Sequence, residues 1–284
     1  MGIKGLLVHL DQAPATQARL LAALAIADRF GAQVTALHLV AEPFMPGVVG
    51  HHMPADILRE HLAHAAAEAE GAVAAARAEA DRRGVALVVA RESGPVDRLP
   101  HLLARHARHA DLVIVGRPDP TTGGADDALL AEAAFMDSGR PALLIPPEGA
   151  PTLPPRCALI AWDGSREAAR AVSDALPLLQ PAERVVVLVV DGRDVRGGVG
   201  QAPGVEIAAH LTRHGVGAEV KPVRGGGGGG GGGTAEIILA QAKEEAADLL
   251  VMGGYGHSRL REMMLGGVTR HMLEHATVPL LLSH

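Results

Sequence analysis

This 284-residue sequence predicts an α/β fold built as two copies of one unit. Three observations carry that reading. Short apolar runs alternate with helical segments along the chain, the pattern of parallel strands joined by right-handed crossovers. Pro146 to Pro155 places five prolines in ten residues, a linker composition. Finally, ADLVIVG ending at Gly116 returns as ADLLVMG ending at Gly253, and PALLI from Pro141 returns as PLLLS from Pro279. That internal duplication divides the chain into residues 1–148, a Pro-rich linker 149–155, and residues 156–284.

The elements follow in order. Leu6 to Leu10 reads as a buried strand ended by Asp11, and Thr16 to Phe30 as a helix closed by Gly31. Val34 to Val40 is the second strand. A Pro/Gly/His-rich loop from Glu42 to Pro54 leads into an Ala-rich amphipathic helix from Ala55 to Arg83. Val85 to Ala90, Leu112 to Val115 and Ala142 to Ile145 are the remaining strands of the first copy. Asp97 to His109 and Ala128 to Met136 are its last helices. The pattern restarts with a strand at Ala158 to Trp162, ended by Asp163, then a helix at Arg166 to Leu179 and a strand at Val185 to Val190. The helix after that strand shrinks to Val205–His214, and nine glycines, Gly225 to Gly233, precede the next one. Such a tract holds no fixed conformation cheaply and carries no functional weight.

Composition removes several function classes. The formal charge of −6 and the scarcity of aromatics, with one Trp, one Tyr and three Phe, speak against a nucleic-acid partner. Cys157 stands alone and suits a reducing compartment. The N-terminal MGIKGLLVHLD has neither signal-peptide nor myristoylation layout, and no apolar run is long enough to span a membrane. The expectation is a cytoplasmic protein.

The informative stretch lies at Asp248 to Leu273. The buried run Leu249 to Met252 is followed by Gly253, Gly256 and Gly266 in the spacing G-x2-G-x9-G, and a helical pattern begins just beyond. Strand, glycine loop and helix start is the geometry in which backbone N–H groups meet an anion. In the first copy Gly116 persists, but Asp119 falls at the place of Gly256 and Leu129 and Leu130 at those of Gly266 and Gly267. Glycines kept in one copy only point to a ligand rather than to turn geometry.

This spacing, together with the duplicated pattern, resembles the universal stress protein family in its tandem two-domain arrangement. The resemblance implies, per domain, a five-stranded parallel sheet in a Rossmann-like, doubly wound fold. It also implies ATP as ligand, with Mg2+ as an accompanying ion. Asp163, followed by Gly164 and Ser165, and the backbone of Val189 match the positions that hold adenosine. Met252, Gly253, Gly256, Gly266, Val268 and Thr269 match those of ribose and phosphates, and His257 lies in the outgoing loop. Gly267 departs from the family, which carries Ser or Thr there. Losing one hydroxyl donor weakens binding by roughly tenfold, and Thr269 offers a hydroxyl two residues on. The first copy, by the same comparison, does not take ATP in this way. The family further implies that the halves pack face to face through their last strands, Ala142–Ile145 and Val278–Leu282, and assembly into a homodimer is an expectation beside it.

Other signals are weaker. His271-Met-Leu-Glu-His275 fits an inverted zinc-protease pattern, but no further ligand accompanies it. There is no G-x-S-x-G elbow and no P-loop, and Lys4, Lys221 and Lys243 are the only lysines. Slow ATP hydrolysis is the most enzymatic behaviour these residues suggest. The functional expectation is a regulatory, ATP-binding stress-response protein. The alternative is a nucleotide-independent scaffold acting through protein contacts of the long helix and the His-rich loop.

Overall fold

The computed structural model describes residues 2–11, 15–42, 55–118, 125–147, 152–190, 204–225, 231–255 and 267–284. The first half runs β1 (Gly5–Leu10), α1 (Thr16–Phe30), β2 (Gln33–Ala41), α2 (Ala55–Arg83), β3 (Leu87–Gly94), α3 (Leu99–Ala107), β4 (Leu112–Gly116), α4 (Ala125–Met136) and β5 (Ala142–Ile145). The second half repeats the plan. It runs β6 (Cys157–Ala161), α5 (Arg166–Leu179), β7 (Arg184–Val190), α6 (Val205–Arg213), β8 (Ala218–Val223), α7 (Gly231–Glu244), β9 (Leu249–Gly253), α8 (Val268–His275) and β10 (Leu280–Ser283).

All these strands join one ten-stranded sheet in the order β3-β2-β1-β4-β5-β10-β9-β6-β7-β8. Within each half every pairing is parallel, and the halves meet where β5 and β10 pair antiparallel, Leu143 opposite Leu281. The last strands thus join edge to edge. The halves do not stack face to face, because two wholly buried apolar edges, ALLI and LLLS, remove each other's unpaired backbone groups. A hydrophobic cluster lies on each face of this sheet, and both clusters run through both halves.

The duplicated Ala-Asp-Leu has a structural cause. Asp111 accepts the backbone N–H groups of Lys4 and Gly5 at 2.8 and 2.9 Å, just where β1 starts. Asp248 accepts those of Arg156 and Cys157, both at 3.0 Å, where β6 starts. Each aspartate therefore ties the first strand of its half to the fourth.

Several boundaries differ from the sequence reading. β3 extends to Gly94 rather than stopping at Ala90, since its backbone pairs with β2 as far as Ala41 opposite Gly94. Ladder hydrogen bonds outweigh the polar Arg91 and Glu92 on this half-exposed strand. The helix expected from Asp97 divides into a 3-10 turn, Val96–Arg98, and α3, whose first turn contains Pro100. α4 begins at Ala125, three residues before the expected start. α7 begins at Gly231, so the last three residues of the glycine tract belong to a helix. The rest of that tract from 226 to 230, and the His-rich loop from 43 to 54, lie outside the described residues.

Candidate functional site

In each half the strand order reverses beside the first strand, between β1 and β4 and between β6 and β9. Crevices at such switch points, outside the carboxyl ends of the strands, are where open α/β sheets take ligands. In the second half three strand ends meet there. Ala161 of β6 pairs with Leu188 of β7 on one side and with Met252 of β9 on the other.

The loop after β6 is set by its own polar side chains. Asp163 is exposed, and its Oδ1 accepts the Ser165 N–H at 2.9 Å. Gly164 between them has φ +75°, a conformation that costs other residues about 1 kcal/mol or more. Ser165 then caps α5, its Oγ accepting the Ala168 N–H at 3.1 Å. Glu167 is buried in the first turn of that helix. Burial alone would raise its pKa, but the Arg166 guanidinium bonded to it holds the carboxyl below the ordinary range.

Gly253 closes β9 directly against this turn. A methyl group placed on it would lie 2.6 Å from the Ala168 nitrogen and 2.6 Å from the Glu167 carbonyl carbon, both backbone atoms. Gly254 presses on the first half instead, where an added methyl would lie 2.6 Å from the edge of the Phe135 ring. Close packing therefore requires both glycines, whether or not the stretch takes a ligand. The first half keeps a glycine, Gly116, at the matching strand end.

Tyr255 follows with φ +51°. Its amide donates to Thr269 Oγ at 3.0 Å, its hydroxyl donates to Glu132 Oε1 at 2.5 Å, and its ring stacks on Phe135 with centroids 6.0 Å apart. A left-handed non-glycine residue costs about 1–2 kcal/mol. A hydrogen bond to a charged carboxylate contributes about 1.5–3 kcal/mol and an aromatic pair about 0.5–1.5 kcal/mol. These contacts outweigh the strain.

The chain returns at Gly267, the N-cap of α8, at φ −62° and ψ 164°, with no side chain to cap the helix. At the far end of α8, Arg117 Nη1 donates to the carbonyl of Leu273 at 3.1 Å and to that of Glu274. The His271 and His275 rings stack 4.2 Å apart, while Glu274 accepts from Arg270. Among the described residues no group of three His, Cys, Asp or Glu could hold a metal.

The first half fills the same position with its own cation. Arg19, only 3% exposed, donates to the Asp11 carboxylate and, at 2.5 Å, to Thr16 Oγ. A methyl group on Gly116 would collide with the Arg19 guanidinium, so the glycine admits that side chain. Burial and the Arg19 charge push the pKa of nearby His9 down to about 4, which keeps its ring neutral. Ala169 stands fourth in α5 as Arg19 does in α1, but it is exposed. By burial and by contact with the strand-end glycine, the counterpart of Arg19 is Glu167, a buried acid paired with Arg166. The α5 residues that lie against Gly253 are Glu167 and Ala168, and they meet it through their backbone and the Glu167 Cβ.

Of the residues singled out in the sequence, Asp163, Gly164, Ser165, Met252 and Gly253 come together around the β6 and β9 ends. Val189 is a buried β7 residue opposite Pro222 of β8, and Val268 and Thr269 open α8. Thr269 is 3% exposed and its hydroxyl already receives the Tyr255 amide, so it ties the neck of the glycine loop. Gly256, His257 and Gly266 lie outside the described residues. Glu132, Phe135 and Arg117 join the site although the sequence reading does not single them out. All three come from the other half of the chain, so no local pattern marks them. Tyr255 stands inside the glycine motif as the single tyrosine, a signal that could have found it.

The sequence pattern described as the Universal stress protein family matches residues 2–132 and again 156–284. Among solved structures, a universal stress protein from Archaeoglobus fulgidus is 16% identical with a TM-score of 0.72, the match covering 98% of this chain and 95% of that one. A putative universal stress protein from Pseudomonas aeruginosa is 15% identical with a TM-score of 0.62, covering 99% and 93%. A universal stress protein solved in complex with cAMP is 20% identical with a TM-score of 0.36, covering 46% of this chain and 97% of that one. No curated protein matches the chain.

Proposed function

The chain belongs to the universal stress protein family, and we propose that its second half binds an adenine nucleotide, ATP with or without Mg2+, as a regulatory ligand. The observation that carries this reading is the contrast between the two switch points. Arg19 occupies the Asp11 carboxylate in the first half, whereas in the second half the buried residue at the matching place is Glu167 and the Asp163 carboxylate stays exposed. What remains in the second half suits a nucleotide. Asp163 is an exposed acceptor for a ribose or adenine donor, and the N-termini of α5 and α8 favour negative charge.

In this reading Asp163, Gly164, Ser165 and the Val189 backbone take the adenosine. Met252, Gly253, Gly256, Gly266, Gly267 and Val268 form the ribose and phosphate side, with His257 in the loop and Thr269 acting through Tyr255. The domain division is 1–148 and 156–284, and the compartment is the cytoplasm. The packing needs of Gly253 and Gly254 favour the second reading, a nucleotide-independent scaffold, because they explain two glycines of the stretch without a ligand.

Two substitutions separate the readings in calorimetric titrations with ATP. Gly267 has the backbone conformation of a serine N-cap. A serine there accepts the N–H three residues on and donates its proton to a phosphate oxygen, so Gly267→Ser tightens ATP binding roughly five- to tenfold. Gly266→Asp sets a carboxylate against the phosphates and removes binding while the far-ultraviolet circular dichroism is kept. Equal affinity in all three proteins would place any nucleotide elsewhere.

A further inference from the structure

The segment that carries the glycine loop is held at both ends by the first half. At its start, Tyr255 donates its hydroxyl to Glu132 and stacks on Phe135, both on α4, and Gly254 lies against the same ring. At its end, Arg117, directly after β4, binds the last carbonyls of α8. Between them the Tyr255 amide and the Thr269 hydroxyl clasp the neck of the loop.

We infer that Glu132 is a positioning residue for the nucleotide site of the other half, acting through Tyr255. The inference rests on the nucleotide reading above. The side chain of Tyr255 fixes a left-handed backbone at the point where the chain leaves β9 for the loop. Releasing its hydroxyl lets that backbone relax and loosens the tie between the β9 end and the N-terminus of α8, and two ends held in register bind an anion better than two that move independently. A half whose own crevice is filled by Arg19 thereby tunes the affinity of its partner half.

The test uses the full chain. Glu132→Ala weakens ATP binding about five- to tenfold, and Tyr255→Phe does the same. The double variant is no weaker than either single one, since both remove one interaction. Glu132→Gln, whose amide oxygen still accepts the phenol, stays within about twofold of the unaltered chain. A Glu132→Ala protein that binds ATP as the unaltered chain does overturns the inference. Hydrogen exchange without nucleotide keeps the two claims apart. Glu132→Ala accelerates exchange of the Tyr255 amide at least about tenfold, and unchanged exchange there overturns the positioning role whatever ATP does. Accelerated exchange in a chain that binds no ATP overturns the nucleotide reading alone.

Discussion

Asp11→Ala is expected to lower the stability of the chain by about 3 kcal/mol. The Arg19 guanidinium is buried on α1 against Gly116, and its Nε has no hydrogen-bond partner among the described residues. Its charge is balanced by the Asp11 carboxylate, with Thr16 sharing the same oxygen. Removing the acid leaves a buried cation without that partner, the costliest way to break such a pair. Asp11→Ala combined with Arg19→Met replaces both charges with apolar groups and recovers most of the loss. Urea unfolding followed by circular dichroism reads both outcomes. A single variant as stable as the unaltered chain would show that Arg19 is solvated and does not fill the first crevice.

Acid is expected to act on the same cluster. His9 is buried beside Asp11, Arg19 and His38, and burial with the Arg19 charge lowers its pKa to about 4. Burial also lowers that of His38, where Arg91 adds to the effect. A histidine held neutral in the fold and free to charge in the unfolded chain stabilises fully above its unfolded value near 6.5. That contribution is lost as the pH falls towards about 4, because the unfolded chain then binds the extra proton. His9 alone accounts for about 2 kcal/mol between about pH 7.5 and pH 5. Burial alone would raise the pKa of Asp11, but Arg19 holds it below its ordinary value, so its own loss comes only below that window. His9→Gln removes most of the slope across that window in urea unfolding, and an unchanged slope would assign it to other groups.

Both switch points show what a sequence can carry. The strands β1, β4, β5 and β9 are legible because each is a short Val/Leu-rich run buried on both faces, and the repeated Ala-Asp-Leu exposes the duplication. The end of β3 is not, because pairing to an edge strand depends on its neighbour rather than on its own polarity. At the site, Asp163, Gly164 and Ser165 can be read because their hydrogen bonds are local. Glu132 and Tyr255 stand 123 residues apart, and no spacing rule links them. Arg19 reads as an ordinary polar helix residue until Asp11 and Gly116 close around it. Gly253 and Gly254 stand out for the right reason, absence of a side chain, but their close neighbours are a helix backbone and a phenyl ring.

The central claim is that the second half takes ATP at its switch point, where Asp163 is exposed, while the matching Asp11 of the first half is taken by Arg19. Calorimetric titration of the full chain with ATP and magnesium tests it most directly. The account predicts saturable binding at one site per chain, lost in Gly266→Asp and retained in Asp11→Ala combined with Arg19→Met. Absence of heat and of bound nucleotide up to millimolar ATP would contradict it.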